Sequence, residues 1–222
     1  MANAKITADA VAGMAKKVGR PIFAKQTKQL VRYLDHLTKW NRKMNLVGKS
    51  DWKTVFETLI VDSLFLADFM DGLDVAENPL CLDFGAGAGL PGIPLRTIWQ
   101  DGEYWLVEVR EKRVLFMQSA LGRMDLPGVN VFHGRAEDVL EHLSDEDRQA
   151  KADVILSRAF MPWLKLLDLV QPMLQPGGVV VILANEQPPT ESELPAGWTL
   201  GDVMEYPVKG GKRHFWSLRL KQ

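Results

Sequence analysis

The amino-acid sequence predicts an α/β fold: a doubly wound, mainly parallel, seven-stranded Rossmann-like sheet preceded by an N-terminal helical extension. Three observations carry this expectation. From residue 80 onward, short apolar runs alternate with helical patterns, the order of parallel strands joined by helical crossovers. The first of these runs ends in a carboxylate and a glycine-rich turn, LCLDFGAGAGLPGIPL over residues 80–95. Open α/β sheets grip nucleotide-like ligands with such a turn at the carboxyl ends of their strands. Residues 1–75 lack this alternation and instead show helical periodicity with a basic excess.

In chain order, QTKQLVRYLDHLTKW at 26–40 places Leu30, Tyr33, Leu34, Leu37 and Trp40 at intervals of three and four, one apolar face of a helix. A second helical pattern runs from about Trp52 to Met70 through Val55, Leu59, Ile60, Leu64 and Phe65. Between them, Gly48, Ser50 and Asp51 read as a connector and helix cap. The polar stretch DGLDVAENP at 71–79 divides the helical extension, 1–75, from the main domain, 76–222. Strands are expected at 80–83, 104–108, 129–132, 153–157 and 179–184, with helices near 93–99, 111–123, 136–143 and 162–174. Segments 198–208 and 214–220 read as two closing strands of an antiparallel edge.

At 222 residues the chain can bury one sizeable core with a small accessory element. No apolar run reaches the ~20 residues of a membrane span, and MANAKITADA lacks the apolar core of a signal peptide. The lone Cys81 excludes an intrachain disulfide and reads as a packing residue, and the four histidines show no ligand spacing, so no metal is expected. The expectation is a cytoplasmic protein. A net charge of −1 conceals an asymmetry: residues 1–53 hold twelve basic and three acidic side chains, the remainder fifteen and twenty-five. That segment is either a solvated helix surface or a platform for an anionic partner, with nucleic acid favoured over membrane because no aromatic-and-leucine face accompanies the charge.

The spacing of the turn separates the candidate cofactors. A dinucleotide fingerprint requires Gly-x-Gly-x-x-Gly, but its sixth place here is Leu90, and a P-loop requires a Lys-Ser/Thr pair that does not follow. What remains, Asp83-x-Gly85-x-Gly87-x-Gly89, is the pattern of S-adenosylmethionine (SAM) enzymes, and the expected sheet is that of a SAM methyltransferase. Ligand-type residues also follow the later strands. Glu108, after the second, can accept from a ribose diol or pair with Arg110 or Lys112. Glu137 or Asp138, after the third, can accept from an adenine amino group, although Asp138 also suits a helix N-terminus. Ser157-Arg158-Ala159-Phe160, after the fourth, falls where the substrate should lie. Phe160 can stack on a target base or fill the core.

The segments DFGAGAGLPGIPL, EKRVLFMQSAL, GRAED and SRAF, with KWNRKMNLV and DSL upstream, resemble the RsmG (GidB) family of bacterial small-subunit ribosomal RNA methyltransferases. The resemblance spans roughly residues 25–187, with a weaker echo at Arg213-His214. It implies SAM-dependent methylation of guanine N7 in 16S ribosomal RNA. By motif, it implies that Gly85 and Leu90 line the cofactor through the loop; Asp83, Ala86, Gly87, Gly89 and Glu108 are the other cofactor residues expected from their places after the strands. Ala136 and Glu137 would contact its adenosine end, and Arg158 would lie at the reaction centre, orienting the cofactor or contacting the target nucleotide. Arg113 and Arg135, with Lys39, Arg42 and Lys43 of the basic helix, become the expected RNA contacts. The chain departs from the family pattern at Thr58-Leu59, where Arg-His is usual, and at Ala184, where lysine is common; both positions bear on RNA contact.

The expected partner is ribosomal RNA or the small ribosomal subunit, bound by a monomer without metal. A SAM methyltransferase acting on a small molecule or protein, or a non-catalytic RNA-binding module, are the competing readings. The basic segment and the Ser-Arg-Ala match weigh against the first, and the retained Asp83, three glycines, Glu108 and Arg158 against the second.

Overall fold

A computed structural model describes residues 5–48, 51–144 and 150–221; Ser50 of the expected connector lies outside the described residues. Seven strands form one sheet: β1 (Leu80–Phe84), β2 (Glu103–Glu108), β3 (Val129–His133), β4 (Ala152–Arg158), β5 (Leu174–Ala184), β6 (Trp198–Val208) and β7 (Gly211–Leu220). Their spatial order is β3-β2-β1-β4-β5-β7-β6. The first five are parallel, and β7 inserts antiparallel between β5 and β6. Chain order reverses beside β1, whose neighbours are β2 and β4; the crevice at such a switch point is where ligands bind in this architecture.

Alternating side chains send each strand into two cores. Cys81, Tyr104, Leu106, Val154, Leu156 and Val181 face one layer of helices, while Leu82, Phe84, Val107, Ile155, Val180 and Ile182 face the other. The second layer holds α7 (Val139–Leu143) and α8 (Trp163–Val170). The first holds α5 (Gly92–Arg96) and α6 (Glu111–Leu121), together with all four helices of the extension. These are α1 (Ala8–Lys17), α2 (Ala24–Met44), α3 (Trp52–Val55) and α4 (Val61–Asp71). One continuous apolar core therefore joins the extension to the sheet. Burial pushes the Cys81 thiol well above its usual range, in keeping with a packing residue.

Two features depart from the periodicity. The sequence pattern does not predict helix α1: its alanine-rich sequence buries only Val11 and Ala15, a single i,i+4 pair, so its apolar signal is faint. Thr7 caps it, accepting from the Ala10 N–H at 3.2 Å. The expected helix over 52–70 is broken into α3 and α4 by a π-helical turn at Phe56–Ile60. Such a turn widens the backbone ladder and is frequent at functional sites.

Candidate functional site

The turn after β1 folds back on β2. The N–H groups of Gly85 and Ala86 both donate to the Val107 carbonyl, at 3.0 and 3.1 Å, and Gly87 donates to the Glu108 carboxylate at 3.1 Å. Gly85, Gly87 and Gly89 have φ of 68°, 60° and 71°, the left-handed region in which a side chain is strained. At Gly85 a Cβ would lie 2.8 Å from the Phe160 ring. Phe160 is half-buried against this glycine and Phe84, so packing accounts for much of its position.

Helices of the extension hold the turn from the other side. The Tyr33 hydroxyl on α2 donates to the Ala88 carbonyl at 2.7 Å, and Ser63 on α4 donates to the Pro91 carbonyl at 2.9 Å. Asn41, at the end of α2, accepts from the Val47 N–H and donates to the Gly48 carbonyl, folding the connector so that Leu46 and Val47 face the turn. The WN…NL pattern thus encodes a side-chain-stapled connector.

Between these elements lies a cavity of about 370 Å³, within the range of small-molecule sites. Gly85, Ala86, Gly87, Ala88 and Leu90 form one wall; Arg158, Ala159, Leu183, Ala184 and Asn185 another; Leu59, Asp62, Tyr206 and Arg213 close it. Ala159 has φ of 52°, a left-handed conformation that turns the chain sharply after Arg158. Leu59 of the Thr58-Leu59 departure from the family pattern and Ala184, the other departure, both line this cavity.

Its polar floor is Asp62, 1% exposed. Arg213 contacts both carboxylate oxygens, at 2.8 and 2.7 Å, Tyr206 donates to Oδ1 at 3.0 Å, and Arg158 reaches Oδ2 at 3.3 Å. Arg213 also donates to the Thr58 carbonyl in the π turn at 2.6 Å and to Asn185 at 3.0 Å. Burial and the neighbouring Asp62 carboxylate push the Tyr206 hydroxyl far above its usual range, so it stays protonated. Two guanidiniums on one carboxylate leave the floor with a positive charge in excess. In the sequence Asp62 stands out only within the DSL motif and Arg213 only as a weak echo, and the 151 positions between them hide the pair.

The other expected residues divide by position. Glu108 is buried, accepting from the Gly87 and Arg110 N–H groups and from Arg113 at 3.4 Å. Its ionic partner is thus Arg113, and only the Arg110 backbone is involved. Arg113 lines the cavity, whereas the sequence had set it on the RNA surface. Asp83, expected among the cofactor residues, lies behind the turn at 1% exposure, accepting from Tyr104 at 3.1 Å and from the Gly92 N–H. It braces the turn and does not line the cavity, because alternation along β1 turns it toward α5 and away from the strand end. Ala136 is buried and Glu137 is exposed, held by Arg135 at 2.8 Å, at the β3 end of the same sheet edge and outside the cavity lining. Lys39, Arg42 and Lys43 are exposed near the end of α2.

Burial pushes the Asp83 carboxyl up to about 7, against the opposing effects of the Tyr104 hydrogen bond and the Arg158 cation. Between an unfolded value near 4 and about 7, the folded chain holds a proton that the unfolded chain releases. Stability is therefore lost as pH rises through this window and levels off above it. Asp83→Asn should remove a difference on the order of 3–4 kcal/mol between its two ends. Denaturant unfolding of both proteins from pH 4.5 to 8 checks this; parallel pH dependences would refute it.

A buried acid at the end of β2, a glycine turn along the cavity wall and a cavity at the switch point fit an adenosine-bearing cofactor. Fold and site together define the class: the Rossmann-like methyltransferases. The O-methyltransferase from Bacillus cereus in complex with SAH has the same fold, with TM-score 0.62 and 18% identity over 96% of this chain and 97% of that one. A putative O-methyltransferase from Klebsiella pneumoniae aligns with TM-score 0.61 and 15% identity over the same shares. The GidB family model, described as rRNA small subunit methyltransferase G, matches residues 26–214, and the chain belongs to this family. The ribosomal RNA small subunit methyltransferase G of Nitratidesulfovibrio vulgaris is 51% identical over 84% of this chain and 82% of its own length. That of Lawsonia intracellularis is 42% identical over 91% of each. No helix among the described residues is long and apolar enough to cross a membrane, and those residues contain no group of three potential metal ligands.

Proposed function

We propose that this chain is a SAM-dependent methyltransferase that acts on guanine N7 of 16S ribosomal RNA. The observation that carries the reading beyond the family is that, among the described residues, no carboxylate at the cavity is free to accept a proton. Both oxygens of Asp62 are taken by Arg158, Arg213 and Tyr206, and Tyr206 is held protonated. Glu108 is occupied by two backbone N–H groups and Arg113. Such a site suits a nucleophile with a lone pair and no proton, which guanine N7 is; an alcohol or amine acceptor would need a base.

SAM, when bound, supplies a methyl already activated on a sulfonium. Gly85–Leu90 and Glu108 are the residues that would hold it, with Ala136 and Glu137 at its adenosine end. The protein's contribution is alignment. Arg158 is fixed by Asp62 yet keeps most of its guanidinium donors for a ligand. An arginine beside a developing cationic purine would be unfavourable by itself; Asp62 offsets that charge. Arg158 therefore acts by orientation, since a cationic guanidinium cannot serve as a general base. The excess positive charge of the floor suits a cofactor carboxylate or an RNA phosphate. Mass-spectrometric mapping of methylated nucleosides in ribosomal RNA from a deletion strain should show loss of a single N7-methylguanosine in the small-subunit RNA. An unchanged map would overturn the assignment.

A further inference from the structure

A second cleft lies outside the methylation cavity, on the flank of α2. Its walls are Arg32, Asp35, His36, Lys39 and Trp40 of α2 and Arg123, just beyond α6. The segment carrying Arg123 is docked on α2 by Gln29, whose amide donates to the Asp125 carbonyl at 2.7 Å. Three cations face one carboxylate there. Lys39 pairs with Asp35 at 2.6 Å, while Arg32 and Arg123 have no ion-pair partner among the described residues and are exposed. His36 is buried at 6% exposure, stacked on Phe116 at 5.4 Å and tilted against Trp40 at 5.6 Å. Its Nε2 has no hydrogen-bond partner within the protein. An unsatisfied buried nitrogen in a cation-rimmed cleft with a half-buried indole calls for a ligand carrying an anion, a hydrogen-bonding group and a flat face.

A nucleotide unit of RNA has all three. We propose that this cleft is an RNA-anchoring site that grips a looped or single-stranded segment of the substrate through phosphate contacts from Arg32 and Arg123, a hydrogen bond to His36 and a base against Trp40. It rests on the reading of the chain as an RNA methyltransferase and extends it to residues with no role in transfer. The cleft and cavity are joined along α6: Arg113, which lines the cavity, is roughly 12 Å of helix from the α6 end at Leu121, and Arg123 follows two residues later. Exposed Lys39, Arg42 and Lys43 continue the cationic track along α2 toward the connector that lines the cavity. A backbone can thus run from anchor to target over a few nucleotides. Burial and the Arg123 cation lower the His36 pKa, with Asp35 opposing and Lys39 assisting, so the ring meets RNA as a neutral imidazole near pH 7.

The test uses the full chain and transcribed small-subunit ribosomal RNA as probe. The double variant Arg32→Gln, Arg123→Gln should bind this RNA about 10-fold or more weakly near 0.1 M salt. It should also flatten the slope of log affinity against log salt by about 1.5, two phosphate contacts' worth. His36→Phe keeps the ring stack but removes the nitrogen, and should weaken RNA binding about threefold or more. In both variants SAM affinity by calorimetry and thermal unfolding should match wild type, which separates loss of the anchor from loss of fold. RNA affinities and salt slopes within twofold of wild type in both variants would overturn the anchor and leave the cleft to a protein partner. If wild type binds the RNA without methylating it, the proposed reaction falls while the binding comparison still decides the anchor. If wild type does not bind RNA, both fall.

Discussion

Asp62→Ala should reduce methyl transfer by at least about 100-fold and destabilise the fold by about 3–5 kcal/mol. The stability loss follows from removing one partner of a buried ion pair, which leaves the remaining charges in a poorly solvated site. Arg158 and Arg213 are both about three-quarters buried and share this single carboxylate, and the Tyr206 hydroxyl depends on it as well. The activity loss follows from alignment: displacement of a positioning group by about 1 Å is enough for a hundredfold effect. Asp62→Asn separates the two effects. It keeps the volume, but its amide presents donors to at least one guanidinium, so turnover should fall with a smaller stability loss. Denaturant unfolding and single-turnover methylation of both variants provide the readouts. Asp62→Ala within 1 kcal/mol of wild type and with near-normal turnover would remove this carboxylate from the machinery.

Gly87→Asp should weaken SAM binding by at least about 100-fold, equivalent to about 2.7 kcal/mol. Gly87 has φ of 60°, where a side chain introduces strain of about 1–2 kcal/mol. The larger effect is directional. A Cβ here would lie 3.4 Å from Arg113 Nη1, with no backbone closer than 3.7 Å, so the new side chain fits the turn and points at Arg113. The added carboxylate would draw Arg113 from Glu108 and occupy the cavity wall where the cofactor is expected. Gly87→Ala carries the strain without the charge and should show a smaller loss. Calorimetric titration of SAM into the three proteins distinguishes these contributions, and an unchanged isotherm for Gly87→Asp would remove the turn from the cofactor site.

The sheet was legible because its signals are local. A buried parallel strand needs only a short apolar run between turns, and β1, β2, β4 and β5 each contain one; β3, half-exposed on the outer edge, still kept enough of the pattern. The antiparallel edge was legible as a pair of strands, but the placement of β7 next to β5 required the three-dimensional pairing. The glycine turn was readable because its spacing is a backbone requirement. Side-chain roles were less so. Asp83 and Glu108 both look like ligand acids from their place after a strand, yet pleating buries one behind the turn and sets the other beneath Arg113. The Asp62 cluster joins residues 96 and 151 positions apart in the chain, and no window of sequence brings them together. The π turn that exposes the Thr58 carbonyl to Arg213 leaves no mark on the apolar periodicity, because Val55, Phe56, Ile60 and Leu64 are buried before, within and after it.

The hydrogen bond from Tyr33 to the Ala88 carbonyl makes α2 and the glycine turn one mechanical body. The hydroxyl is fully buried, and burial raises its pKa far out of the physiological range, so the link persists at any working pH. If RNA binds along α2 and SAM against the turn, as proposed, the two sites obey a strict thermodynamic symmetry. Whatever factor the methyl donor adds to the affinity for RNA, RNA must return to the methyl donor. After transfer the same symmetry acts on the spent cofactor: methylated RNA and spent cofactor must change each other's affinity by one common factor.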